Sequence, residues 1–360
     1  MEYVNLDKLV WFQEGPGVRN YQYVDKGIKL INVTNLVNGK LKLHLTNRFI
    51  SEEEANGKYK HFMCDIGDLV IASSGITYDT LDKKIAFVTE KDLPLCMNTS
   101  VIRFKPLDNN VCLDFIYYFL KSKKYKNQIS KLMTGSAQLN YGPSHLHKVK
   151  IPLYSFDKQL KIAKELKKID STILICHNNL ENLDNIVKSQ FIEMFGDLFY
   201  NDNRYNQVKI RDIVKYEQPT KYIVSSEEYN NSYETPVLTA GKNFILGYTK
   251  EKNGIFIGSK EKVIIFDDFT CDSKIVNFDF KVKSSAIKIL HMKKGVNIDF
   301  FYNVLKQHHY NVANHKRHWI STFEIMKIGL PPLKLQNKYA SFVEQIDKSK
   351  YFGGAEYGIC

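Results

Sequence analysis

The chain repeats itself at a single long period. KIPLYSFDKQLKIAKELKKID begins at Lys150, and KIGLPPLKLQNKYASFVEQID begins 177 residues later at Lys327. At that offset Lys150/Lys327, Ile151/Ile328, Leu153/Leu330, Gln159/Gln336, Ala163/Ala340, Ile169/Ile346 and Asp170/Asp347 coincide. A second echo lies upstream, LDFIYYFLKSKKY from Leu113 and IDFFYNVLKQHHY from Ile298. The period is too long for a solenoid repeat, so each copy has to be a whole domain with a helix behind it. The first copy continues into a long helix. The second would have to reach about residue 372 to match it, and the sequence stops at Cys360.

A length of 360 residues fits two domains. A hydrophobic content of 44% excludes disorder over most of the chain. The net charge of +12 favours a polyanionic partner, nucleic acid first and an acidic membrane surface second. The start, MEYVNLDKL, lacks the basic and apolar regions of a signal peptide, and no apolar run reaches membrane-spanning length. The six cysteines form no CxxC pair, which argues against structural zinc and a disulfide framework. A reduced, cytoplasmic protein is the expectation.

Up to about Tyr154 the sequence reads as short strands, including DLVIAS from Asp68, KIAFVTE from Lys84 and SVIRF from Ser100. DFIYYFLKSKKYKNQISKL, from Asp114, has the apolar spacing of one helix. Pro152 punctuates the chain, and Asp157 is placed to cap a new helix running to Phe195 and ended by Gly196. In it Ile162, Leu166, Ile169, Ile173, Cys176, Leu180, Leu183, Val187 and Met194 fall on alternating 4- and 3-residue steps, broken at Gln190. That is a coiled-coil seam; a long amphipathic helix packed on its own domain is the competing reading. The order then repeats. VKIRDIV answers VNLDKLV, and VIIFDD, KIVNFDF and SAIKIL read as strands before a helix from Asp299. A last helix starts near Gln336, and Gly353 and Gly354 are expected to stop it after about fifteen residues. The fold class is therefore α+β, with domains at 1–154 and 197–333, a central helix at 155–196 and a short helix and tail at 334–360.

Catalytic motifs are missing. There is no GxxxxGK[ST] phosphate loop, no GxGxxG after a strand and no GxSxG elbow. Asp267 and Asp268 are adjacent, so in a strand they point to opposite faces and read as turn or surface residues. His308, His309, His315 and His318 lack the cysteine partners of a zinc finger, and no metal site is assigned.

Two regions carry the residue types of a DNA interface. Ser73, Ser74, Thr77 and Tyr78 follow a strand on a glycine-containing loop, with Lys83 and Lys84 beyond. TGSAQLNYG adds Gln138, Asn140 and Tyr141. Asparagine and glutamine pair bidentately with adenine, while lysine and arginine neutralise phosphates or read guanine. At the 177-residue offset Gln138–Tyr141 maps onto His315, Lys316, Arg317 and His318, followed by Trp319 as a stacking face. Lys242 and Asn243 complete the second set. One place in two copies thus carries different polar chemistry, as two readers of different sequences require. Variable solvated loops are the alternative. Lys123, Lys124 and Lys126 read as a solvated helix face.

KIPLYSFDKQLKIAKELKKID, leading into a heptad helix that ends in FIEMFGD, resembles the conserved region of type I restriction-modification specificity (S) subunits. GDLVIASSG and TGSAQLNYG resemble motifs of their target-recognition domains, and the domain–helix–domain–helix order covers almost the whole chain. The resemblance implies a non-catalytic subunit whose two domains each read half of a bipartite double-stranded DNA site. It implies that the helices dock methyltransferase (M) subunits, with Ile162, Leu166, Ile169, Ile173, Leu180, Leu183 and Val187 as the pairing face. No cofactor is expected on this chain; S-adenosylmethionine belongs to the M subunits, and ATP and magnesium to restriction (R) subunits. A helix of about 38 residues is about 57 Å long, enough to hold readers over half-sites one DNA turn apart.

The family pairs two long antiparallel helices, and the second helix here is short. The stretch from Leu174 to Met194 is therefore expected to lack its partner and to recruit an M-subunit segment or a second copy of the chain. The competing functions are a coiled-coil protein adaptor and a truncated, assembly-impaired specificity variant.

Overall fold

The computed structural model describes residues 2–133, 140–200, 203–240, 244–308 and 317–356. The chain divides into two compact units, Met1–Thr172 and Ile173–Cys360.

The first unit begins with β1 (Tyr3–Asn5), β2 (Val10–Glu14), β3 (Ile28–Ile31), the hairpin β4 (Leu36–Val37) and β5 (Lys40–Leu41), and β6 (Phe49–Ile50). Helix α1 (Glu52–Asn56) leads to β7 (Leu69–Ala72), β8 (Ile85–Phe87), β9 (Leu95–Met97) and β10 (Val101–Pro106). Then come α2 (Leu113–Lys121), α3 (Lys123–Leu132), the single turn α4 (Pro143–Leu146), β11 (Lys150–Pro152) and the start of α5 (Phe156–Phe195). Four strands form an antiparallel sheet in the order β2-β10-β7-β8. Strand β3 pairs antiparallel with β6 and parallel with β9, and β1 pairs with β11. The unbroken apolar run of β7 is buried throughout, as a strand covered on both faces requires. Phe115, Ile116, Phe119 and Leu120 of α2, with Tyr125 and Ile129 of α3, share its core.

The single helix expected from Asp114 is two helices. Ser122 breaks it with extended backbone. Its hydroxyl donates to Phe119 O at 2.6 Å and accepts from Tyr125 N at 3.2 Å, so one side chain caps the end of α2 and the start of α3. The turn delivers Tyr125 into the core.

The second unit contains β12 (Asn206–Lys209), the turn α6 (Ile210–Ile213), β13 (Val214–Glu217), β14 (Thr235–Leu238), β15 (Ile245–Thr249), β16 (Val263–Asp267) and β17 (Ser273–Val276). It continues through β18 (Lys281–Val282), β19 (Ile287–Met292), α7 (Ile298–Gln307), β20 (Lys327–Leu330) and α8 (Leu333–Glu356). Its main sheet runs β13-β19-β16-β17, matching β2-β10-β7-β8 strand for strand. Strand β14 pairs antiparallel with β15 and parallel with β18, as β3 does with β6 and β9, and β12 pairs with β20 as β1 does with β11.

A buried glutamine fixes the same corner in each unit. Gln159 Oε1 accepts from Cys112 N at 3.0 Å, and its Nε2 donates to Tyr154 O at 2.9 Å and Asn110 O at 3.3 Å. Gln336 Oε1 accepts from Asn297 N at 2.9 Å, and its Nε2 donates to Pro331 O at 2.7 Å and Gly295 O at 3.3 Å. Both side chains are buried, at 2% and 0% exposure. Each bridges the loop before one helix (α2 or α7) and the entry to the next (α5 or α8), satisfying backbone groups that would otherwise be orphaned.

Helix α5 begins one residue before Asp157, which lies in its first turn. Gly196 ends it in the left-handed region, φ +67°. Ala163 is buried in the first unit's core and Ile162 packs against it. Val187, Phe191 and Phe195 are buried in the second unit's core with Phe300, Tyr339 and Val343. Phe191 and Phe195 meet the Tyr339 ring edge-on at 5.4 and 5.5 Å. The expectation of an unpartnered stretch from Leu174 to Met194 is corrected for its second half: α8 packs on α5 along Asp184–Phe195, closed by a Lys350–Asp184 ion pair at 2.7 Å, while Ile173, Leu174 and Ile175 are exposed. Helix α8 has 24 residues, more than the fifteen or so expected. Gly353 and Gly354 do not stop it: a glycine in a helix costs only about 1 kcal/mol, a weak penalty and not a barrier. Among the described residues no helix is long and apolar enough to cross a membrane.

Replacing Gln159 or Gln336 by leucine strands buried backbone groups, Cys112 N–H or Asn297 N–H among them. Each substitution is expected to cost about 1–3 kcal/mol, read as a lowered thermal or urea midpoint, and the two losses should add because they fall in separate units.

Candidate nucleic-acid interface

The segment after β7 leaves the sheet beside the segment before α4. Ser73 N donates to Ser100 O and Tyr141 N donates to Ser73 O, both at 2.9 Å. Tyr141 Oη donates to Ala72 O at 2.8 Å. Burial pushes the phenols of Tyr141 and Tyr125 well up, so both keep their protons. Ser73 and Tyr141 are thus buried braces, which corrects the expectation that they face DNA. Beyond them Gly75, at φ +64°, turns the loop, and its N–H reaches Asn140 Oδ1 at 3.4 Å. Tyr78 Oη donates to Asn127 Oδ1 at 2.7 Å, and Lys126 lies over the Tyr78 ring while pairing with Asp82 at 2.8 Å. Thr77 N is held by Thr80 Oγ1 at 2.9 Å.

Thr77, Tyr78, Lys83 and Asn140 are exposed on this loop set and Ser74 is partly so. Lys84 is half-buried and donates to Val33 O at 3.3 Å, so it supports the β4 region. Gln138 lies outside the described residues, as do Lys242, Asn243, His315 and Lys316.

The second unit rebuilds the junction with other side chains. Asp268 N donates to Ala286 O and His318 N donates to Asp268 O, each at 2.9 Å, repeating the Ser73 bonds. Ser73 therefore corresponds to Asp268, and Tyr141 to His318 at the 177-residue offset. Asp268 Oδ1 accepts from Trp319 N at 2.7 Å and its Oδ2 pairs with Lys288 at 3.3 Å. Lys288 also donates to Gln218 Oε1 at 2.6 Å. Asp267 accepts from Phe269 N at 2.9 Å and from Thr270 Oγ1 at 2.6 Å, shaping the turn. The turn reading of the two aspartates holds, but both are buried. Trp319 is buried between Phe266 and Phe323, so it presents no stacking face. His318 is half-buried. Arg317 is exposed, with its guanidinium 3.4 Å from Ser285 Oγ.

The helix seam is also sorted by burial. Val187 is buried, Ile162, Leu166, Leu180 and Leu183 are half-buried, and Ile169 and Ile173 are exposed. Among the described residues no group of three or more His, Cys, Asp or Glu is placed to hold a metal ion. Sequence reasoning missed Glu14, which touches the first junction, and Lys288 and Gln218, which close the second.

Residues 20–185 match the family model described as the type I restriction modification DNA specificity domain. The chain is 48% identical over 124 residues to the type I restriction enzyme EcoR124I/EcoR124II specificity subunit of Escherichia coli, 33% of this chain and 31% of that protein. It is 29% identical over 189 residues to the type I restriction enzyme MjaVIII specificity subunit of Methanocaldococcus jannaschii, 52% of this chain and 43% of that protein. These matches span less than half the length of either relative. In fold, the chain resembles the crystal structure of a type I restriction-modification system S subunit from M. genitalium, with a TM-score of 0.58 at 17% identity over 99% of this chain and 92% of that one. A structure concerned with complex assembly and conformational transition of the type I R-M system gives a TM-score of 0.53 at 12% identity, with the same coverage.

Asp268→Asn removes the counter-charge of a fully buried lysine. Breaking such a pair from one side is expected to cost about 3–5 kcal/mol. Trp319 packs beside this site, so its fluorescence during denaturant unfolding in a Trp11→Phe background reads the loss directly.

Proposed function

We propose that the chain is a specificity subunit of a type I restriction-modification system and selects the DNA sequence on which the complex acts; the match of residues 20–185 to the DNA specificity domain supports this. The two target-recognition domains are residues 1–154 and 197–333, each reading one half of a bipartite site. Residues 155–196 and 334–360 are the conserved helices on which M subunits dock. The chain has no catalytic role of its own. The M subunits bring S-adenosylmethionine, and the R subunits bring ATP and magnesium. The complex works on double-stranded DNA in the cytoplasm.

The observation that carries this reading is the doubled junction. Two units with one strand order hold the same backbone bonds, Tyr141 N to Ser73 O and His318 N to Asp268 O, yet surround them with different polar groups. A scaffold that keeps its frame and changes its contact chemistry suits two readers of different half-sites. The formal charge of +12 supplies the phosphate attraction such readers need.

The test uses the chain assembled with its M subunits. Binding should fall steeply with salt and should discriminate between duplexes, and methylome sequencing of the host should lose one bipartite motif when the gene is removed. Equal affinity for every duplex would overturn the reading. Lys83→Ala, at an exposed position of the first loop set, should weaken binding to all sequences alike and reduce the salt slope by about 1.

A further inference from the structure

Glu14 ends β2 at the point where the two loop segments of the first unit meet. Ser73 Oγ donates to its Oε1 at 3.4 Å, and a Cβ placed on Gly142 would lie 3.5 Å from its Oε2. The carboxylate therefore bonds the segment after β7 and lies close to Gly142 in the segment before α4. Among the described residues it has no cationic partner. Partial burial raises its carboxyl above the usual range, with the Ser73 hydroxyl opposing. An uncompensated carboxylate in a chain of net charge +12 stands out at a junction built to approach a polyanion.

The second unit shows what a closed version of this place looks like. Glu14 pairs in register with Ile102, whose counterpart is Lys288, since Ile71 faces Ile102 as Phe266 faces Lys288. Glu217 pairs with Ile289, which puts Gln218 at the position of Glu14. There Lys288 binds both Gln218 and Asp268, and every charge is spent inside the unit. The first unit has isoleucine in place of the lysine and leaves its carboxylate unanswered.

We propose that Glu14 is a specificity-determining residue of the first unit, accepting a hydrogen bond from an exocyclic amino group of a base in the first half-site. The inference rests on the DNA-specificity reading and deepens it. A carboxylate beside a phosphate is repelled. In the major groove, guanine and thymine offer it only acceptors, while cytosine N4 and adenine N6 offer donors. Ser73 engages one carboxylate oxygen, and no described hydrogen-bond donor engages the other.

The experiment takes the complex with M subunits and the bipartite motif read from its methylome. Glu14→Gln keeps the shape and the acceptor for Ser73 but adds a donor, and Glu14→Ala removes the group. Thermal unfolding of both variants confirms that the unit is folded. Against a panel of duplexes substituted one base pair at a time, both variants are expected to lose about 10-fold or more of the discrimination at one C·G or A·T pair of the first half-site, with the second half-site read as before. The pair affected tells cytosine from adenine. Folded variants that retain every discrimination of the parent complex overturn this inference alone. A parent complex that binds all duplexes equally overturns the specificity reading and this inference with it.

Discussion

Gln159 and Gln336 hold the constraint on which both units depend. Each unit must turn from its sheet into a helix, then through a last strand, and then into a second helix. The loop before the first helix and the entry to the second both carry backbone groups that burial cuts off from water. One primary amide, with two donor hydrogens and one acceptor, satisfies three of them in each unit at 2.7–3.3 Å. An unmade bond in such a place costs more than a made bond returns. The corner therefore keeps its glutamine while most residues around it differ between copies. Because the corner is fixed, α5 and α8 leave their units from equivalent places, and the strand order on the other side is equivalent too.

On that frame the junction of the two loop segments is the variable part. Its backbone bonds are the same in both units, so the segments approach the sheet edge in the same way. What differs is how charge is handled. The second unit buries Asp268 and Lys288 against each other and adds Gln218, giving a closed network in which each polar group has a partner. The first unit has Ser73, Ile102 and Glu14 at these positions, with a single half-buried carboxylate bonded to the Ser73 hydroxyl. Closed networks rigidify their surroundings and offer little to a ligand. An unanswered carboxylate does the reverse.

The repeat itself, the long helix and most strands were legible in the sequence because they rest on local periodicity. The 177-residue offset singled out Gln159 and Gln336 by identity but not by role, since two of each one's three partners lie in a loop 39 to 49 residues upstream. The heptad spacing found the extent of α5. It could not assign burial, because Val187 is covered by Tyr339 and Phe191 while Ile173, on the same seam, is exposed. Ser122 escaped notice because one hydroxyl capping two helices leaves the apolar spacing intact. Ser73, Tyr141 and Trp319 carry polar or stacking groups and so resembled contact residues; long-range register buries them. Glu14 gives no local signal. Its lack of a cationic partner emerges only when β2 is laid beside β10 and Ile102 is found where the second unit has Lys288.

The exchange between the two junctions is energetically cheap, which explains how one frame can hold both. Burying an ion pair removes two charges from water, and their attraction roughly repays that cost. Replacing such a pair by apolar or small neutral groups is often close to neutral for stability, provided both members go together. The first unit has done so at Ser73 and Ile102, positions that in the second unit hold Asp268 and Lys288. Losing one member alone would leave a buried charge and weaken the unit severely. Paired exchange thus changes the chemistry at the loop junction without taxing the core formed by β7, β10, α2 and α3. Polar chemistry can vary at this point because the fold's stability does not depend on which solution is adopted.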